Sequence, residues 1–520
     1  MAPYVSNTDR PVFALTGLPE VVKGALFARY SRSPKSLRRL LVDEFLPPDG
    51  EDGLRAAAEG PGAERAEALY GRVLAEYGDD SVAQLGGAHI AVEGASNVLT
   101  KVLQWGRLAS YLEQSTRYIA FTDRPGGRYR YHRPEDVLAH PALGPEYVRT
   151  LDGAFEGYAR LLPAMVEHVG TGVPKDPATP DAARERAVRA RALDLLRGLL
   201  PAATTANVGI FASGQAYEAM LIRMGAHPLP EARECARAML AELRTVIPAF
   251  LTRVDRPDRG VASGEYLAEG DRTAAALAER LDMDTPAGAG EPGVRLIDFD
   301  PDGESRVLAH ALWPAAGGSL ADVRSRVAGL SPGRRAEALH EWAGARGDRR
   351  QRPGRALEAT AYTFEVVCDY GAYRDLQRHR MLTLQAQPLG PRLGYAIPDE
   401  VAAAGAAGDY AEIQAACTAL HDALAGEFPA AAPYAVTLAH RIRFTMTMNA
   451  REAMHLIELR SQPQGHDSYR AVAREMHRQI AETAGHRAIA GMMTFVDTSD
   501  PAAGRLAAER RLEARRAGGA

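Results

Sequence analysis

Cysteine is scarce in this chain. Cys235, Cys368 and Cys417 are the three among 520 residues, and they lie far apart. They form no CxxC pair and no disulfide framework, which excludes a disulfide-stapled scaffold and fits a reducing compartment. Histidine and cysteine nowhere adopt a zinc-ligand spacing such as HExxH, so no metal is expected. No GxGxxG follows a strand, no P-loop occurs, and no Ser or Cys sits in a nucleophile elbow, so neither a Rossmann nor a hydrolase assignment is supported. No apolar run is long enough to span a bilayer. The opening MAPYVSNTDRPVFALTG lacks a basic stretch followed by an apolar one, so a cytoplasmic location is expected. Charge of one sign is missing as well: 62 Lys and Arg against 66 Asp and Glu leave a net -4. A general basic field is thereby excluded, and neither nucleic acid nor membrane is an expected partner, although local basic clusters can still hold phosphates.

What is present is enough apolar material for a sizeable core, 46% of residues, in a chain long enough for two or three domains. A first domain is expected over 10–255, a linker over 256–293 that ends in DTPAGAGEPG, a second domain over 294–498, and a charged tail over 499–520. The run Val12–Leu15 is strand-like, and VRLIDFDPDG from Val294 resembles a restart of it. Gly/Pro breaks fall near 47–53 and 123–128. Helices are expected over 177–200, 215–224 and 231–243, and again over 410–427, 451–460 and 468–483. The charged stretch 345–355, ARGDRRQRPGR, is expected to be exposed. The two regions form a degenerate repeat: VLTKVLQWGRLASYLEQSTRY answers YGAYRDLQRHRMLTLQAQPLGPRLGY, and QAYEAMLIR answers NAREAMHLIELR.

Three constellations carry chemistry. In Glu113-Gln-Ser115-Thr-Arg117-Tyr118 an extended chain would point Glu113, Ser115 and Arg117 the same way, a hydroxyl and a cation suited to phosphate; a helix would instead leave a Glu113–Arg117 surface ion pair. Arg378-His379-Arg380 concentrates positive charge that suits a diphosphate or an anionic reduced flavin, or is a solvated basic turn. Asn449 and Arg451 stand at a helix start, where Asn can simply be an N-cap. Arg460 stands at that helix's end, where a cation complements the dipole. His455 lies one turn from Arg451 and fits a core-edge position equally well.

From Ser81 to Tyr118 the chain resembles the signature region of flavin-dependent thymidylate synthases, which carry Arg-His-Arg followed at fixed spacing by Ser, Glu, Ser and Arg-Tyr. Arg107, Ser110, Glu113, Ser115, Arg117 and Tyr118 keep that spacing, and Glu93-Gly94 and Ser96 match upstream. Trp105 and Gly106 replace the first Arg and His, and Leu85 replaces a usual His. The second half departs oppositely. Arg378-His379-Arg380 is intact, Thr383 and Ala386 replace Ser and Glu, and only Arg392 and Tyr395 stand near the lost Ser-x-Arg-Tyr. Asn449-Ala-Arg451, His455, Leu459-Arg460 and Arg470 keep the later motif, which is eroded to Ser213-Gly-Gln215 in the first half. A family Arg ahead of a Leu-Pro pair is matched by Arg197 before Leu200-Pro201, with no equivalent near Val436-Thr437.

The losses are complementary, and the resemblance implies one composite site. It implies an α+β fold of two tandem domains, each an antiparallel sheet flanked by helices. Glu113, Ser115, Arg117 and Arg197 are then expected to contact a pyrimidine nucleotide. Arg378, His379, Arg380, Asn449, Arg451 and His455 are expected to contact FAD, and Arg460 to polarise the pyrimidine ring. The implied reaction is reductive methylation of dUMP to dTMP with NADPH and methylenetetrahydrofolate as co-substrates, in a homodimer that mimics the family tetramer. A flavin enzyme acting on another pyrimidine nucleotide, and a non-catalytic flavin- or nucleotide-binding protein, are the alternatives.

Overall fold

The computed structural model describes residues 2–31, 33–45, 84–173, 180–283, 291–499 and 510. The break at 47–53, the start of the signature run at Ser81, residues 284–290 and nearly all of the expected tail lie outside these residues. Contacts group the described residues into two compact units that do not follow the repeat. One holds Met1–Ala95, Val102–Gln114 and Ala206–Thr285; the other holds Ser96–Lys101, Ser115–Thr205 and Pro286–Ala520.

In the first unit, strands β1 (Gly87–Ser96), β2 (Ala109–Glu113) and β3 (Thr205–Ser213) form a sheet in the order β1-β3-β2. β2 runs antiparallel to β3, with Ala109 opposite Ala212 and Glu113 opposite Val208. Ala206, Val208, Ile210 and Ala212 alternate inward along β3, the period-2 pattern of a half-buried strand. The helix Gly214–Gly225 follows, capped by the Ser213 hydroxyl, which accepts from the Ala216 N–H. Its Tyr217 hydroxyl donates to the carbonyls of Ala88 and Ile210 and so ties the helix to the sheet. Gly214 is required there, because a Cβ would come within 2.5 Å of Phe250. Val12–Leu15 forms no strand: Val12 is 83% exposed and the segment makes one isolated bridge, Val5 to Leu15. Phe13 lies under the Arg38 guanidinium and Leu15 is half-buried, but a single bridge makes no ladder. The expected linker, 256–293, includes a helix, Ala262–Arg280, whose alanine-rich sequence has high helix propensity.

In the second unit, β4 (Gly293–Phe299), β5 (Ala361–Asp369), β6 (Leu382–Ala386) and β7 (Arg441–Asn449) form an antiparallel sheet in the order β4-β5-β7-β6. Tyr362, Phe364 and Val366 of β5 and Ile442, Phe444, Met446 and Met448 of β7 face the core. The helix Asp467–Glu482 packs on the sheet through Tyr469, Val472, Ala473, Met476 and Ile480, an i, i+3, i+4 stripe. The helices Leu143–Gly172 and Asp181–Leu196 come from the first half of the sequence, and Leu143–Gly172 packs against Ala407–Glu427 of the second. The two halves are also joined by backbone: Ala202 N–H donates to the Val436 carbonyl, and Leu438 N–H to that of Leu200. The Leu200-Pro201 segment thus pairs with Val436-Thr437, its counterpart in the repeat.

Candidate functional site

The second unit brings guanidiniums from both halves of the repeat to one largely buried carboxylate, Asp375, whose side chain is 13% exposed. This residue lies near the end of the helix Tyr370–Leu376, which Asp369 caps by accepting from the Ala372 N–H. Around Asp375 stand Arg197 at 3.7 Å, Arg378 at 3.8 Å and Arg460 at 3.8 Å. Burial alone would raise the Asp375 carboxyl, but Arg378, Arg460, Arg197 and Arg117 outweigh it and hold it down at about 2.

Each cation reaches the cluster from a different element. Arg117 follows β2, where the chain turns and its N–H donates to the Ser115 hydroxyl at 3.2 Å. Neither the extended nor the helical reading of Glu113–Tyr118 therefore survives past Glu113. The Arg117 guanidinium forks onto Asp194 at 2.7 and 2.9 Å and donates to the Tyr469 hydroxyl and the Gln464 carbonyl. Burial opposes its charge, but Asp194 overcomes this and raises it well above the ordinary arginine value. Arg197 stands in the turn after Asp181–Leu196 with its side chain 4% exposed. Its Nη2 is buried with no hydrogen-bond partner among the described residues. Gly198 beside it must be glycine, since a Cβ would stand 2.0 Å from the Tyr410 hydroxyl. Arg197, Asp194, Asp369, Tyr410 and His466 are among the walls of a cavity of about 490 Å3, a volume within the ordinary range for small-molecule sites.

Arg460 ends the helix Ala450–Arg460 and donates from Nε to His379 Nε2 at 3.0 Å. Its guanidinium also lies 5.5 Å from the Tyr469 ring centre. Because Nε2 accepts, the proton of His379 is on Nδ1, which donates to Glu452 at 2.9 Å. Burial, then the charge of Arg460, holds His379 well below its ordinary value, so it is a neutral imidazole with a fixed tautomer. His455 packs edge-on at 5.3 Å from His379, and burial lowers it to about 4. The ligand atoms of His379, Glu452 and His455 lie within 4.8 Å of one another, the geometry of a metal set that no sequence spacing signalled. Arg460 already occupies Nε2 of His379, and the charges of Arg352, Arg451 and Arg380 act on Glu452. A divalent cation would meet that positive field, so the cluster suits an anion far better.

The remaining residues expected at the site fall as follows. Arg378 and Arg380 are exposed on either side of buried His379. Asn449 caps its helix, accepting from the Glu452 N–H at 2.9 Å. Arg451 donates to the Pro353 carbonyl and lies 3.7 Å from Glu358. Glu113 belongs to the other unit, where it accepts from Gln104 at 2.8 Å. Asp375, Asp194, Tyr469 and Glu452 were not anticipated. Asp375 and Asp194 each precede a site arginine by three residues, one helical turn, which was the available signal.

The thymidylate synthase complementing protein family matches this chain twice, over residues 29–249 and 298–484, which together make well over half of it. The chain belongs to that family. It is 38% identical over 515 residues to a UPF0159 protein of Chlamydia muridarum, with 98% of this chain and 97% of the relative covered. It is 31% identical over 522 residues to the UPF0159 protein Ta1429 of Thermoplasma acidophilum, with 95% and 99% covered. Among solved structures, thymidylate synthase X of Helicobacter pylori with FAD and dUMP aligns to 39% of this chain and 99% of that one, at 15% identity and a TM-score of 0.29. No helix among the described residues is long and apolar enough to cross a membrane.

Proposed function

We propose that the protein is a flavin-dependent thymidylate synthase that methylates dUMP reductively to dTMP at one site in its second unit. The observation that carries this is the convergence on Asp375. Arg117 and Arg197 from one half of the repeat, and Arg378 and Arg460 from the other, act on the same carboxylate. Positive charge exceeds negative there, and the buried Nη2 of Arg197, an ion-pair neighbour of Asp369 at 3.9 Å, still lacks a hydrogen-bond acceptor among the described residues. A nucleotide phosphate meets both needs.

Ser115 and the charge of Arg117 would position the phosphate, and Arg197 Nη2, which lacks a hydrogen-bond acceptor among the described residues, would donate to it. Arg460 places a guanidinium where charge builds on the pyrimidine ring. His379, held neutral, presents no competing cation. The residues fit FAD by charge: Arg378, Arg380 and Arg451 would hold it with His379 and His455, Asn449 fixing the start of the helix that carries Arg451 and His455, and the flavin would supply the hydride. NADPH would restore the flavin and methylenetetrahydrofolate would give the carbon. No residue needs to act as a covalent nucleophile. Two copies of the chain would reproduce the family tetramer.

Complementation of a thymidine-requiring strain tests the proposal. Wild type should rescue growth, and Arg117→Ala and Arg378→Ala should not. Rescue by the Arg378 variant would overturn it. A second reading, a flavin- and nucleotide-binding protein without turnover, is favoured by one observation: Asp194, Tyr469 and Gln464 already occupy the Arg117 guanidinium. A yellow purified protein that binds dUMP yet releases no dTMP would establish that reading instead.

A further inference from the structure

The charged loop 345–355 was expected to be a solvated surface segment, and its position differs from that in one decisive respect. Arg346 is buried, its side chain 3% exposed, and it forks onto Glu458, which is 0% exposed, at 2.6 and 2.7 Å. Its other contacts go to the carbonyls of Gln351 at 2.6 Å, Met492 at 2.6 Å and Arg349 at 3.3 Å. Arg346 is therefore a rivet, with its donors spent on holding the loop. The loop closes on itself as well: the Gln351 amide oxygen accepts from the N–H groups of Gly347 and Asp348. At its far end the Pro353 carbonyl accepts from Arg451. Both ends are thus tied to the helix Ala450–Arg460, the element that carries Glu452, His455 and Arg460.

On this fixed loop the arginines divide into two kinds. Arg350 lies 3.7 Å from Asp348, and Arg355 pairs with Glu358 at 3.0 Å. Arg349 and Arg352 have no ion-pair partner among the described residues, and neither has Arg380 across the site. We propose that 346–353 is an anion clamp, holding Arg349 and Arg352 opposite Arg380 and Arg451 to seat the diphosphate of a dinucleotide. Pro353, next to Arg352, accepts from Arg451 at 3.3 Å, and Glu452, next to Arg451, bonds His379, next to Arg380, at 2.9 Å, so these bonds bring the three cation-bearing segments together at Glu452, on which the charges of Arg352, Arg451 and Arg380 act. Planar guanidinium forks match phosphate oxygens. Cations spread over a loop, a helix start and the Arg378–Arg380 segment fit two linked phosphates better than one. The flavin dinucleotide and a nicotinamide dinucleotide share this chemistry, and naming either rests on the function proposed above.

The test uses full-length protein freed of flavin and titrated with FAD, riboflavin and NADPH, followed by their fluorescence. Arg349→Gln/Arg352→Gln is compared with wild type, and Arg350→Gln serves as the control. The double variant should bind FAD roughly tenfold to a hundredfold more weakly, with a shallower salt dependence, and riboflavin equally well. Weakening of NADPH in place of FAD would support the clamp with the other dinucleotide in it. Unchanged binding of both would overturn it, as would equal weakening of riboflavin. If wild type binds neither dinucleotide, the proposed function fails first. Calorimetry with inorganic pyrophosphate then decides the clamp: weaker binding by the double variant supports it, and equal or absent binding overturns it.

Discussion

Asp375→Asn keeps the shape of the central side chain and deletes its charge. The carboxyl stands at about 2 in the folded protein against an ordinary 3.8. At about 1.4 kcal/mol per unit, the folded state favours the ionised form by about 2 kcal/mol relative to the unfolded chain. The folded value is depressed, so this stabilisation is present above the unfolded value and is lost as pH falls from about 3.8 toward about 2. Asn lacks it at every pH. Two consequences follow at neutral pH. The second unit should lose about 2 kcal/mol of stability. Arg117, Arg197, Arg378 and Arg460 would also face an incoming phosphate without their internal counter-ion. If the phosphate recovers most of that energy, dUMP should bind up to about thirtyfold more tightly. Urea denaturation reads the first effect and calorimetry with dUMP and inorganic phosphate the second. A variant as stable as wild type that binds both anions no more tightly would refute the counter-ion role of Asp375.

Three further outcomes are expected. Glu458→Gln leaves Arg346 buried against a neutral partner, so the unfolding midpoint should fall by an amount equivalent to about 3–5 kcal/mol; an unchanged midpoint would show that the pair is not buried in solution. Asn449→Ala removes a helix cap and should cost about 1 kcal/mol, read in the same denaturation experiment. His455 and His440 are lowered to about 4 by burial, so between the unfolded value of 6.5 and about 4 the unfolded chain binds more protons. Stability should therefore fall as pH drops through that window, and the fall should be smaller in His455→Gln; an equal fall would clear His455 of any part in it.

Much of this arrangement can be read along the sequence. The helices from Asp181, Gly214, Pro230, Ala407, Ala450 and Asp467 fall on stretches whose composition predicts helix, and those from Gly214 and Ala450 start at the capping side chains Ser213 and Asn449. Complementary loss of motifs pointed to Arg117 and Arg378 as residues of one site, and both act on Asp375. What could not be read depends on long-range burial. Nothing local distinguishes Arg346, buried on Glu458, from the exposed Arg350 four residues later. Glu452 stands at the third position after an Asn cap, where a carboxylate usually turns back to the cap. Here it accepts from His379, a residue 73 positions away. Tyr469 looks like any core aromatic of an amphipathic helix until its hydroxyl is seen to meet Arg117. The strand expected at Val12 is missing because the segment finds one isolated bridge, Val5 to Leu15, among the described residues and no ladder.

Titration of the flavin-loaded protein with dUMP, followed by flavin absorbance, tests most directly whether residues of both halves serve one site. Wild type should show one saturating spectral change. Arg197→Gln should keep its flavin and lose most of its affinity for dUMP, whereas Arg378→Gln should lose flavin occupancy. An Arg197→Gln protein whose flavin responds to dUMP at wild-type concentrations would contradict the account.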